Sequence, residues 1–278
     1  MTRDGRSSAW PRVFAALELV KVGAQHRSWL WDNRLMSSLP AGLVVWDVDG
    51  TLIPADLRWL RRSVARTYQI EEDEVVFPDK RVHGYTDESI VVDTAVCSGV
   101  EPQSAENGIP RFYSVLAQVM AEGRVELARE QPAYPGAADT IAALHQSGFV
   151  QTVLTGNLRA AAEVKLSVTE LDGFIDLSIG GFGSDARDRF ELPGVIAQRF
   201  ATHYRQSLDP RHTVLIGDAP NDIATARHAG FHVVAIAHRM GSDELAQHQP
   251  DAILDRLTPD VVVATVIALV QQSSGTDT

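Results

Sequence analysis

Three short segments carry residues whose types could do chemistry together: Asp47-Val48-Asp49-Gly50-Thr51-Leu52, Leu154-Thr155-Gly156-Asn157, and Ile216-Gly217-Asp218-Ala219-Pro220-Asn221-Asp222. Each follows an apolar run, so each sets polar groups at the carboxyl end of a strand, the edge where open α/β sheets bind ligands. Four carboxylates gathered in one pocket repel strongly if all are ionised. A hard divalent cation resolves that conflict, and magnesium takes carboxylate and water oxygens. Residues i and i+2 on extended chain point the same way, so Asp47 and Asp49 can face one substrate. One of them can attack while the other manages the proton. Thr155 adds a hydroxyl, and the amides of Gly156 and Asn157 at a helix start form an anion site. Those parts suit phosphoryl transfer, in which positioning and charge neutralisation supply most of the catalysis.

Strands must hold these ends in place. Leu43–Trp46, Val150–Leu154, Thr213–Ile216 and His232–Ala237 read as apolar strands, with Asp251–Leu254 as a fifth. Helical patterns over Ala137–Gln146, Leu192–Tyr204, Asp222–His228 and Thr258–Gln271 alternate with them. The expectation is an α/β fold, a Rossmann-like parallel sheet sandwiched by helices. The alternation breaks between about Ala55 and Gln131, where Leu57–Tyr68, Glu88–Val96 and Ile109–Arg129, interrupted by Gly123, are all helical. That stretch reads as an inserted helical domain, and Pro132 and Pro135-Gly136 mark the return. The expected domains are an N-terminal extension over 1–41, a core over 42–55 and 132–278, and the insertion over 56–131.

Composition narrows the function. The chain has 278 residues, 45% of them hydrophobic, enough for a substantial core. Its net charge of -11 argues against a general nucleic-acid binder, which needs clustered Lys and Arg. Cys97 is the only cysteine, so no intrachain disulfide can form, which fits a reducing compartment. Neither a secretory signal nor a membrane span is expected: the run Val13–Val20 is short and holds Glu18. The expectation is a cytoplasmic protein acting on a small phosphorylated metabolite, with no nucleic-acid or membrane partner.

The three motifs together resemble those of the haloacid-dehalogenase-like phosphatases. Asp47-Val48-Asp49-Gly50-Thr51 is similar to motif I, Leu154-Thr155-Gly156-Asn157 to motif II, and Gly217-Asp218-Ala219-Pro220-Asn221-Asp222 to motif IV. The likeness covers about residues 42–256 and is closest to the phosphoglycolate-phosphatase-like members. It implies Asp47 as a nucleophile that is transiently phosphorylated and Asp49 as general acid/base. It further implies magnesium held by Asp47, the main-chain carbonyl of Asp49, and Asp218, with Asp222 supporting them. Thr155, with the Gly156–Asn157 amides, would hold the phosphoryl oxygens.

Motif III departs from the resemblance, which implies a lysine there. No lysine follows Lys165. Gly183–Leu192 offers arginines instead; Arg189 takes the role, with Arg187 as runner-up. Lys165, about ten residues into the helix after Thr155, is a third candidate, expected to point away from the strand ends. The insertion resembles the family's type-1 cap, and Val82–Asp87 its specificity loop, so Arg81, His83, Tyr85 and Thr86 are candidates for contacts with the leaving group. An ordinary turn with Thr86 or Asp87 capping the next helix is the other reading. Within the family that the chain resembles, an aspartate at the place of Asp49 implies phosphate chemistry rather than the dehalogenase or phosphonatase reactions. A phosphomutase and a non-catalytic binding protein of the same fold are the alternatives to a phosphatase.

Overall fold

The computed structural model describes residues 41–79 and 85–274. The expected N-terminal extension therefore lies outside the described residues, apart from Ala41. Strand β1 (Gly42–Trp46) is followed by an all-helical stretch: α1 (Arg58–Tyr68), α2 (Asp87–Cys97), α3 (Pro102–Asn107), α4 (Ile109–Glu122) and α5 (Arg124–Glu130). The chain then alternates through α6 (Ala137–Gln146), β2 (Phe149–Thr155), α7 (Arg159–Val168), β3 (Gly181–Phe182), α8 (Leu192–Tyr204), β4 (Thr213–Gly217), α9 (Pro220–Ala229), β5 (His232–Ile236), α10 (Ser242–Ala246), β6 (Ala252–Leu254) and α11 (Pro259–Ser274).

The strands form one parallel sheet in the order β3-β2-β1-β4-β5-β6. Every residue of β1 is buried, as expected of a central parallel strand covered on both faces. Alternate side chains divide between two cores. Val44, Trp46, Val214 and Ile216 pack with α6 and α11, while Leu43, Val45, Leu215 and Val233 pack with α8 and α9. Each fully buried aliphatic or aromatic side chain contributes roughly 1.5–3 kcal/mol. Trp46 is wholly buried, and its indole N–H donates to Gln151 Oε1 at 3.0 Å, so its polar atom is satisfied.

This strand order is the doubly wound one. Successive connections run to one side from β1 through β2 and β3, then to the other from β4, leaving a crevice beyond the carboxyl ends of β1 and β4.

The helical insertion has its own core, built on Trp59, Val64, Val91, Phe112, Leu116 and Met120, into which Leu158 and Ala161 of α7 also pack. Gly123 separates α4 from α5, and a side chain there would meet the Trp59 ring, a β-carbon lying 2.2 Å from Cζ3. Gln131 joins the two chain crossings: it accepts from the Trp59 indole and donates to the Pro54 carbonyl at 2.8 Å.

Candidate active site

Parallel pairing sets Trp46 beside Ile216, so the chain leaves β1 and β4 side by side, and Asp47 N donates to Ile216 O at 2.9 Å. Thr51 Oγ1 lies 3.2 Å from Asp47 Oδ2 and 3.4 Å from Asp218 Oδ1, which ties the two strand ends together. Gly50 permits the approach. Its φ is +97°, and a β-carbon there would lie 2.3 Å from Asp218 Oδ2.

The Asp218–Asp222 turn is fixed by the start of α9. Pro220 opens the helix, and Asp222 Oδ2 accepts from the backbone of Asp218 at 3.1 Å and of Ala219 at 2.9 Å.

Asp47, Asp218 and Asp222 are all buried, and each brings one carboxylate oxygen within 4.8 Å of the others. Burial first, then Asp222, hold the Asp47 carboxyl well above the usual carboxylate range, with Arg189 opposing. Burial and then Asp222 push Asp218 up to about 7 against the pull of Arg239. Three crowded carboxylates with only oxygen donors fit a hard divalent cation, which would relieve their repulsion. Asp222 already serves the turn and Arg189, so it would support such an ion through its neighbours. The Asp49 carboxylate is turned elsewhere, leaving its main-chain carbonyl as the donor it could offer.

Around β2, the Asn157 amide group donates to Asp49 Oδ2 at 2.6 Å and to Thr155 Oγ1 at 2.7 Å. Lys165 Nζ donates to the same Asp49 oxygen at 2.6 Å and to Asn157 Oδ1 at 2.7 Å. The expectation that Lys165 points away from the strand ends is thus corrected. Side chains on a helix lean toward its N-terminus, and Lys165 stands one turn after Ala161. Its four-carbon stem reaches back to Asn157, and Lys165 is 5% exposed.

The 3-10 turn Arg189–Glu191 buries Arg189, whose Nη2 donates to Asp47 Oδ1 at 3.0 Å, Asp222 Oδ1 at 2.5 Å and Leu154 O at 3.2 Å. Arg187, two residues earlier, is 46% exposed and pairs with Glu88 at 2.6 Å and Glu106 at 2.8 Å, both on the insertion. Arg81 and His83 lie outside the described residues. Tyr85 lines the cavity beside Asp47. Thr86 does not line it: its hydroxyl donates to Arg187 O at 2.7 Å and caps α2, so the capping reading holds for this residue.

One further group, Arg239, is not anticipated in the sequence, and one anticipated cap, Asp87, serves a different helix. Arg239 Nη1 reaches Asp218 Oδ2 at 3.2 Å from just beyond β5, and the rule that polar groups gather at strand ends would have found it. Asp87 accepts from Leu158 N at 2.9 Å, capping the core helix α7 rather than its own helix, and it lines the same cavity. No local pattern announces that crossing.

Asp47, Asp49, Tyr85, Asp87, Lys165 and Arg189 are among the residues that line about 640 Å³ of empty space, part of it open to solvent. Its core end holds a buried carboxylate, a buried arginine and a helix start, the equipment for a phosphoryl group. Arg189 Nε and Asp49 Oδ1 are buried there without a hydrogen-bond partner among the described residues.

A doubly wound, Rossmann-like sheet thus carries an acidic, cation-flanked strand edge. The sequence model described as haloacid dehalogenase-like hydrolase matches residues 42–230, and the chain belongs to that family. Pyrophosphatase PpaX of Anoxybacillus flavithermus is 28% identical over 126 residues, 45% of this chain and 56% of that protein, so the match spans a little over half of that relative. Phosphoglycolate phosphatase of Nitrosospira multiformis is 26% identical over 241 residues, 85% of this chain and 98% of that protein. Among solved structures, a predicted phosphoglycolate phosphatase from Haemophilus somnus superposes with a TM-score of 0.57 at 21% identity over 81% of this chain and 97% of that one. That likeness is one of fold. Among the described residues no helix is long and apolar enough to cross a membrane.

Proposed function

We propose that this protein is a magnesium-dependent phosphatase that hydrolyses a small phosphate monoester through an aspartyl-phosphate on Asp47. The observation that carries the reading is Arg189, buried against Asp47 with its Nε unpartnered among the described residues. A guanidinium so held can neutralise a phosphoryl oxygen beside the carboxylate that attacks phosphorus. An Asp47 oxygen forms the bond to phosphorus while the bond to the ester oxygen breaks. Asp49 Oδ1 gives the leaving oxygen its proton and then takes one from the water that cleaves the acyl phosphate. Inorganic phosphate departs, and Asp47 returns as the carboxylate. Thr155 and the amides at the start of α7 orient the phosphoryl oxygens, and the helical insertion excludes bulk water.

Asp47 and Asp218 would hold the magnesium with the Asp49 carbonyl, and Asp222 would support them. When bound, the ion supplies positive charge against the phosphoryl group. The lone exposed thiol of Cys97 is consistent with work in the cytoplasm.

The test is hydrolysis of p-nitrophenyl phosphate by the purified protein. Turnover should vanish with EDTA, return with magnesium, and be lost in Asp47→Asn. Near-normal turnover in Asp47→Asn would sink the covalent route.

A further inference from the structure

The cavity has a second end, and its chemistry differs from the first. Away from Asp47 it is walled by apolar side chains of the insertion: Trp59 and Leu60 on α1, Ile90 on α2, and Leu116 and Met120 on α4. Into that wall α2 brings one acidic group, Asp87. One Asp87 oxygen accepts from Leu158 N; the carboxylate has no other hydrogen bond among the described residues. Burial, first of all, pushes it up to about 6, with Lys165 and the Leu158 N–H opposing and Asp49 adding to the rise. Lys165 lies near enough to act on Asp87, although its Nζ already donates to Asp49 and Asn157. Asp56, also at the rim, is taken up by Arg58 through its N–H at 2.8 Å and Nε at 2.6 Å.

We infer that this end receives the leaving group of the ester. The leaving group it fits has an apolar body carrying a hydrogen-bond donor, hydroxyl or ammonium, for Asp87, and it bears no carboxylate. The inference rests on the phosphatase reading above and adds a substrate class to it. A half-desolvated carboxylate gains from a donor and loses from another anion, because a partly buried site screens the repulsion less than bulk water does. The five apolar side chains reward methylene surface and offer nothing to a charged tail. Asp87 is also held in place: its own N–H donates to Gly156 O at 2.7 Å, beside the groups that face the phosphoryl end. The distance between phosphoryl site and donor site is thus set by one short hydrogen-bonded contact between insertion and core.

The experiment uses four phosphate monoesters of equal chain length ending in methyl, hydroxyl, ammonium and carboxylate, with the magnesium-loaded full chain at neutral pH. For the wild type, kcat/KM for the hydroxyl and ammonium esters should exceed that for the carboxylate ester by about tenfold or more, the scale on which a mispaired buried polar group discriminates. In Asp87→Asn, and in Asp87→Ser as a second variant, the ratio of carboxylate to methyl ester should rise about tenfold, since the repelling charge is gone. A wild type that prefers the carboxylate ester, or a ratio unmoved in the variants, overturns the substrate class while leaving the phosphatase standing. No turnover of any of the four esters or of p-nitrophenyl phosphate overturns the phosphatase and this inference together.

Discussion

Arg187 and Arg189 stand two residues apart in the chain, yet only Arg189 lines the cavity. Arg189 lies inside, 3.0 Å from Asp47, and Arg187 reaches outward to Glu88 and Glu106 of the helical insertion. The burial of the two side chains, 5% against 46% exposed, sets how much each charge is worth. A buried cation against a carboxylate acts through little water, whereas exposed ion pairs contribute about 0.2–1 kcal/mol and are screened by salt.

Arg189→Ala is therefore expected to lose at least about 100-fold in kcat, the scale for removing one electrostatic stabiliser from an active site. Arg189→Lys should recover part of it, limited by a shorter reach and a single point of charge. Arg187→Ala should change kcat/KM by no more than about fivefold, in keeping with exposed pairs. Steady-state kinetics with p-nitrophenyl phosphate checks all three. A severe Arg187→Ala beside a mild Arg189→Ala would reverse the assignment of the two side chains.

Gly156 makes a second, steric prediction. A β-carbon on this residue would lie 1.8 Å from Tyr85 O, which is backbone and cannot turn aside. The same glycine accepts the Asp87 N–H, so Gly156→Ala should hold the insertion away from the core and widen the cavity. We expect a lower kcat together with a higher KM, and greater susceptibility of the 85–90 segment to proteolysis. Wild-type kinetics in Gly156→Ala would show that this contact does not govern closure.

The sheet was legible because its strands are short all-apolar runs that stop at acidic or hydroxyl residues, as Leu43–Trp46 does before Asp47. The break at Gly123 was legible too, since glycine disfavours a helix interior. The two-residue strand Gly181–Phe182 is too short to show a period. Arg189 could be named from its interval before α8, but its burial against Asp47 could not. Lys165 was misjudged because it was placed by its distance along the helix, about ten residues after Thr155, and the backward lean and long stem of lysine reverse that answer. Asp87 was legible as a helix cap but not as the cap of α7, because its partner, Leu158 N, lies 71 residues further along the chain.

Lys165 gives a third prediction, drawn from that correction. It is the partner of both Asp49 Oδ2 and Asn157 Oδ1, so it fixes the orientation of a proton-handling carboxylate and of the residue beside Thr155. Lys165→Met keeps the length of the stem and removes the charge. Hydrogen bonds to charged groups contribute about 1.5–3 kcal/mol, so kcat should fall about 10- to 100-fold. KM should change much less, because the phosphoryl end keeps Arg189 and the α7 amides. Far-UV circular dichroism on the variant separates this outcome from a general loss of fold, and unchanged kcat in a folded variant would remove Lys165 from the site.

The fourth prediction concerns pH and the stability of the closed form. Burial raises the native Asp87 carboxyl to about 6, above the value of about 3.9 for an unfolded aspartate. Between those values the native state holds the proton and the unfolded state has released it. Stability attributable to this group therefore falls as pH rises through that window, and above about pH 6 the native state carries the full cost of a desolvated carboxylate. Asn at this position can still accept from Leu158 N through its carbonyl and carries no charge at any pH. Asp87→Asn should accordingly melt close to the wild type at about pH 4 and above it at about pH 7.5, the gap opening across the window. For a chain of this size each kcal/mol corresponds to roughly 2–4 °C in Tm. Thermal melts of both proteins at a series of pH values provide the measurement, and a gap that is constant with pH, or that closes as pH rises, would show that Asp87 is ionised in the native state throughout.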